Sequence, residues 1–180
     1  MSSPMARLRV QLAVSADGYI APPDGSFAWL EPFPAGEFGF DAFFASVGSL
    51  VMGRTTFEGL RRMGPSPFDA LPTVVVTSRP LAAGPNVEAV PVAGLARAVE
   101  RMREGPKDIW LFGGGRTIAA CLDRRLVDTL ELAVIPRLLG NGLPLFAPRA
   151  PGMDALRLVE AKKMKKDVLW LAYALETAKT

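Results

Sequence analysis

The chain has 180 residues, 49% of them hydrophobic, with a net charge of +3, one cysteine and no histidine. That length and apolar content suit one soluble domain, residues 1–180, with a substantial core. Without imidazole there is no Ser-His-Asp or Cys-His catalysis and no histidine-ligated metal, and a lone thiol excludes a thiolate zinc site and an intrachain disulfide.

What remains is chemistry by carboxylate, lysine or tyrosine, by a carboxylate-held metal, or by a bound organic cofactor. The opening MSSPMARLRV lacks the apolar core of a signal peptide, and no apolar run reaches the length of a membrane span. A cytoplasmic protein without membrane contact is expected.

Leu8 to Val14 (LRVQLAV) alternates and then turns apolar, which predicts a first strand closed by Ser15-Ala16-Asp17-Gly18. Tyr19 to Gly39 is rich in Pro, Gly and aromatics and too long for a simple connection, as lids and binding loops are. Phe27, Trp29, Leu30 and Phe33 give it apolar surface to pack down. Asp41 to Val47 is read as a helix with Phe43, Phe44 and Val47 on one side, and Ser49 to Met52 as a buried strand. That strand ends in Gly53-Arg54-Thr55-Thr56, and a helix, Phe57 to Met63, follows. The two threonines suit either an anion or plain N-capping.

Thr73 to Thr77 (TVVVT) is β-branched throughout, as a buried parallel strand should be, and ends in Ser78-Arg79-Pro80. Two hydroxyls and a guanidinium there suit a phosphate monoester, or form an exposed turn. Val87 to Val92 is a further strand, and Leu95 to Arg103 an amphipathic helix stopped by Gly105-Pro106. Ile109 to Phe112 is a short buried strand running into Gly113-Gly114-Gly115-Arg116, and Thr117 to Leu122 is helical. Strand, glycines, helix is a phosphate-binding arrangement, because the backbone is open to close approach and a helix N-terminus offers unpaired N–H groups. The dinucleotide fingerprint GxGxxG fails, since Ile118 stands at its third glycine, and no GxxxxGK[ST] occurs.

Cys121, among apolar neighbours, reads as core. Thr129 to Ile135 is another strand, and Arg157 to Lys163 with Val168 to Leu175 forms an antiparallel hairpin whose turn is KKMKK. That basic cluster has no interleaved aromatics, so no nucleic acid is expected as a partner. Strands alternating with helices, then strands alone, predict an α/β fold with a mixed, mainly parallel sheet and helices on both faces.

Three turns, VMGRTTFE, VVTSRP and LFGGGR, each follow a buried strand in this order. With the opening VSADGYIA, the stretch PRLLGNGLPLF and the closing VLWLAYAL, the set resembles the dihydrofolate reductase superfold. It is more similar to bacterial proteins like the reductase domain of the bifunctional riboflavin-synthesis deaminase-reductase. The resemblance implies NADPH as cofactor. It implies that Gly53, Arg54, Thr55 and Thr56 meet the phosphates from one side and Gly113, Gly114, Gly115, Arg116 and Thr117 hold the pyrophosphate from the other. Thr77, Ser78 and Arg79 would surround the adenosine 2′-phosphate, which favours NADPH over NADH. The segment from Tyr19 to Gly39 would correspond to the mobile loop over the nicotinamide.

Two departures bear on the substrate. Dihydrofolate reductases carry an acid five residues after the loop tryptophan, and five after Trp29 comes Pro34. Where riboflavin-type reductases resemble an Asp-Asp-Pro-x-Leu pattern, this chain reads FEGLRRMGPSPFD. Asp17, Glu37 and Asp41 are the candidate proton donors; Glu37 and Asp41 suit helix capping equally. The expected activity is hydride transfer to a C=N or C=O of a small heterocyclic or sugar-phosphate substrate, of the 5-amino-6-(5-phosphoribosylamino)uracil reductase type. The alternatives are a catalytically silent dinucleotide-binding or assembly protein of the same fold and a pteridine reductase. Related domains are commonly dimers, so a homodimer is expected, with the terminal hairpin as one contact; Arg137 and the Gly140 to Gly142 turn would lie at the substrate mouth or at such a contact.

Overall fold

In the computed structural model, residues 5–82, 84–149, 152 and 154–176 are described. The apolar runs become strands β1 (Leu8–Ser15), β2 (Tyr19–Ala21), β3 (Val47–Gly53), β4 (Thr73–Val76), β5 (Val87–Val90), β6 (Asp108–Gly113), β7 (Thr129–Ile135), β8 (Leu143–Pro144), β9 (Leu156–Lys163) and β10 (Leu169–Leu175). The helices are α1 (Phe40–Ser46), α2 (Arg54–Arg62), α3 (Leu95–Met102) and α4 (Gly115–Asp123). Eight strands form one sheet in the order β5-β4-β3-β6-β1-β7-β10-β9, and β2 pairs with β8 beside it. From β5 to β7 the neighbours are parallel, while β10 and β9 run antiparallel. The mixed, mainly parallel sheet with a terminal antiparallel hairpin is thus as the sequence predicts.

Alternation in the strands sorts side chains to two faces. On one face Leu8, Val10 and Val14 of β1 pack with Leu95 and Val99 of α3 and Ile118 and Cys121 of α4. Burial pushes the Cys121 thiol up to about 12, so it stays a neutral core group. On the other face Phe43 of α1 and Phe57 of α2 join Met52, Val75 and Trp110. Trp29, Leu30 and Phe33 pack with Phe38, Ile135 and Val168, so the long connection does fold down onto the sheet. No helix among the described residues is long and apolar enough to cross a membrane.

Several boundaries differ from the sequence reading: Val47, expected on the apolar side of the first helix, opens β3 instead, because its β-branched side chain continues the buried strand. Helix α2 begins at Arg54 rather than Phe57, and α4 at Gly115 rather than Thr117, because the residues ahead of the apolar periodicity are also helical. Thr55, Thr56 and Thr117 are therefore first-turn residues, and extended Gly53 and Gly114 occupy the caps. The β2–β8 pair was not predicted; at three and two residues inside Pro- and Gly-rich stretches, it carries no periodic signal.

Candidate functional site

The three turns meet. Strands β4, β3 and β6 are neighbours, and the registers Gly53↔Val76 and Met52↔Gly113 bring residues 53–56, 77–79 and 113–117 to one carboxyl-terminal sheet edge. Because α2 packs on one face and α4 on the other, their N-termini flank that edge from opposite sides. Neither has a side-chain cap; in α4 the Thr117 N–H donates to the Gly114 carbonyl at 2.9 Å, and the N–H groups ahead of it are left for an anion.

Gly53 and Gly115 are needed for closeness, whereas Gly114 has room for a Cβ. A Cβ on Gly53 would lie 2.6 Å from the Thr117 hydroxyl, and one on Gly114 would lie 3.6 Å from that of Thr56 and 4.0 Å from Ile20 Cδ1. A Cβ on Gly115 would overlap the Pro144 carbonyl oxygen and lie 3.1 Å from that of Leu145. A cis peptide joins Gly113 to Gly114. Thr117 is buried, whereas Thr55, Ser78, Arg79 and Arg116 are exposed at the edge.

Arg54 is engaged differently from the expectation. Its Nε donates to Glu58 at 2.6 Å and its Nη1 to the Pro80 carbonyl at 2.9 Å, so it ties α2 to the turn after β4. That turn is also closed by the Thr77 hydroxyl, which accepts from the Arg79 N–H at 3.1 Å. Arg79 and Arg116 carry the cationic side chains with no ion pair among the described residues.

Beside this edge the sheet opens. β1 and β6 pair only at Leu8↔Ile109 and Arg9↔Trp110, although β1 continues to Ser15 and β6 to Gly113. Above that point the Trp110 indole N–H donates to the Gln11 carbonyl at 3.0 Å, and the strands separate towards Gly113. The separation lies beside the glycine turn, where Ile20 Cδ1 is 4.0 Å from the Cβ position at Gly114. The sequence offers no signal for it, because register is invisible in a strand pattern.

The candidate acids are scattered. Asp17 lies beyond the end of β1, where its carboxylate accepts from the Ser15 hydroxyl at 2.6 Å, the Gly140 N–H at 2.7 Å and the Leu139 N–H at 3.1 Å. Those bonds, Ser15's first, hold its pKa below the usual carboxylate value. Asp17 therefore staples residues 139–140 to the end of β1. Glu37 meets Lys166 Nζ at 3.2 Å, and the same ammonium donates to the Pro32 carbonyl at 2.8 Å. Asp41 stands exposed in the first turn of α1 with no hydrogen bond among the described residues. Arg137 lies with its guanidinium 6.0 Å from the Phe33 ring, so the segment after β7 braces the loop.

The comparisons with known proteins agree with this geometry. Residues 6–170 match the family of RibD C-terminal domains. Over 138 residues the chain is 31% identical to the uncharacterized protein YwjB of Bacillus subtilis, covering 75% of this chain and 79% of that one. A putative riboflavin biosynthesis protein from Shewanella sp. PV-4 has the same fold with a TM-score of 0.82 and 24% identity, over 95% of this chain and 99% of that one. Dihydrofolate reductase from Enterococcus faecalis, solved in complex with NADP(H), shares the fold with a TM-score of 0.64 and 18% identity, over 95% and 97%.

Proposed function

The chain belongs to the RibD C-terminal domain family, and from that premise we propose that it is an NADPH-dependent reductase of small heterocyclic or sugar-phosphate substrates. The observation that carries this reading is the convergence of three turns on one sheet edge next to the separation of β1 from β6. The residues suit the cofactor. Two uncapped helix N-termini and the hydroxyls of Thr56 and Thr117 would hold the pyrophosphate, with Arg116 beside them. Thr77 and Arg54 would shape the turn that presents Ser78 and Arg79 to the 2′-phosphate. The cofactor supplies the hydride when bound.

The chain's own part is positioning and the exclusion of water. Gly53 lets α4 approach through Thr117, Asp17 fixes residues 139–140, and Lys166 holds the loop at Pro32 and Glu37. Asp41 is the candidate acid left without a partner among the described residues. The substrate type proposed is that of 5-amino-6-(5-phosphoribosylamino)uracil reductase. A silent dinucleotide-binding protein is the second reading, favoured by the engagement of Asp17 and Glu37. We also propose a homodimer through the terminal hairpin: the edge strand β9 is exposed along its length and carries Leu158 at 53% and Val159 at 58% exposure.

Titration with NADPH and NADH, followed through Trp29, Trp110 and Trp170 fluorescence, tests the cofactor. Saturable NADPH binding with NADH about tenfold weaker is the expected result for a charged 2′-phosphate contact. Equal affinities remove the assignment of Thr77, Ser78 and Arg79, and absence of saturation removes the cofactor altogether. Turnover with bound NADPH then separates a reductase from the silent protein, and light scattering reads the dimer.

A further inference from the structure

The two sides of α1 face different chemistry. Phe40 and Phe44 point to the aromatic cluster with Trp110, Phe68 and Phe112, on the side of the glycine turns. Two residues on, Ala42 and Ser46 fall on the opposite side of the helix. There they line a cleft of about 520 Å³. Its floor is the bare face of four strands, where the registers align Gln11 with Glu131, Glu131 with Ala172 and Ala172 with Glu160. Phe38, Phe43, Met164 and Trp170 form apolar walls.

The charges on that floor are already balanced. Arg9 grips Glu131 with two bonds of 2.8 Å, donates to Ser46 at 3.0 Å, and lies 4.6 Å from the Phe43 ring centre. Gln11 is different. It is 7% exposed, and its carboxamide oxygen is buried with no hydrogen-bond partner among the described residues. A buried acceptor left unsatisfied costs free energy that a donor brought to it by a small side-chain rotation can recover. Rotation about its last side-chain bond presents either the oxygen acceptor or the NH₂ donor. The complement of a primary amide is a neighbouring N–H and C=O held in one plane.

We propose that the cleft behind α1 is a second, small-molecule site, separate from the glycine turns, that takes a neutral planar ring bearing a lactam edge, read by Gln11 and flanked by Trp170 and Phe43. Charge balance at the Arg9–Glu131 pair excludes the need for a charged ligand, while Glu160 and Lys162 at the rim can meet polar substituents. The inference does not rest on the reductase reading, since none of the three turns lines this cleft.

The probes are 2-pyridone, which carries the lactam edge, and N-methyl-2-pyridone, the same ring without the N–H. Binding is followed on the full chain by the nuclear magnetic resonance signals of the Gln11 side-chain amide and the Trp170 indole. Saturable shifts are expected for 2-pyridone, at least about tenfold weaker for the methylated ring, consistent with one lost hydrogen bond to a buried group. They should persist at saturating NADPH and vanish in Gln11→Met and in Ala42→Trp, which fills the cleft from its exposed wall. Equal binding of the two rings, no saturation, displacement by NADPH, or retention in Ala42→Trp overturns the proposal. A dimer that Ala42→Trp converts to monomer also overturns it, since a second copy then covers the cleft.

Discussion

The two ends of the same parallel strands are built on opposite principles. At the amino-terminal end Arg7, Arg9 and Arg103 each meet a carboxylate of the fold. Asp108 is shared by Arg7 at 2.9 Å and Arg9 at 3.1 Å, and Asp128 accepts from the Leu8 N–H at 2.6 Å and from Arg103 at 2.7 Å. Arg103 also donates to the Ala6 and Leu126 carbonyls. At the carboxyl-terminal end glycines replace side chains, helix N-termini lack caps, and Arg79 and Arg116 stand without ion pairs among the described residues. Arginine thus holds the fold where its partners are internal and stands open to solvent where they are not. Arg54 lies between the two: it sits at the edge of the glycine turns, yet its partners Glu58 and Pro80 are internal.

The comparison breaks most visibly at Arg9. Arg9→Leu leaves Glu131 buried and unpaired and Asp108 with one partner fewer. We expect a loss of about 3–5 kcal/mol in urea unfolding, the range for removing one member of a buried pair, with NADPH affinity unchanged in the folded fraction. A smaller loss of affinity-neutral stability would mean that Glu131 finds water once Arg9 is gone. Gly115→Ala acts at the other end. Its Cβ meets the backbone carbonyls of Pro144 and Leu145, which cannot rotate away, so about 1–3 kcal/mol of overpacking is expected together with weakened NADPH binding. Wild-type affinity in that variant would separate the glycine turn from the cofactor.

The strands and the three turns were legible because their signals are local. TVVVT announces a buried strand, and the glycines after β3 and β6 announce a turn into a helix. What stayed hidden depends on distant partners. Asp17 reads as a free acid until Leu139 and Gly140, more than 120 residues away, donate to it, and Glu37 until Lys166 arrives from the terminal hairpin. Arg54 reads as a phosphate ligand until the Pro80 carbonyl is placed beside it. Gln11 gave no cue, since it takes an alternating polar place beside Arg9 in LRVQLAV, and only the fold shows that nothing among the described residues answers its carboxamide oxygen.

Arg79→Gln sharpens the comparison without disturbing the fold. The side chain is exposed and makes no ion pair among the described residues, so unfolding should be unchanged within about 0.5 kcal/mol. NADPH should bind about tenfold more weakly and NADH as before, which brings the two affinities together. Equal weakening of both would place Arg79 on the shared pyrophosphate instead of the 2′-phosphate.

The smallest effect is in acid. Burial of Asp108 raises its pKa, but the Arg7 N–H, the Arg7 guanidinium and Arg9 together outweigh that, and the carboxyl is held below its ordinary value. A group depressed on folding binds fewer protons in the native than in the unfolded chain, so its contribution is complete above the unfolded value of about 3.9 and fades as pH falls through the folded one. Stability of the wild type should therefore drop below about pH 4 with a slope that Asp108→Asn makes shallower by less than one proton. The two curves converge in acid, because protonation does to the wild type what the amide has done already. A variant curve that stays parallel to the wild type down to pH 3 would show that the arginines at the amino-terminal end hold Asp108 no more tightly in the folded chain than in the unfolded one.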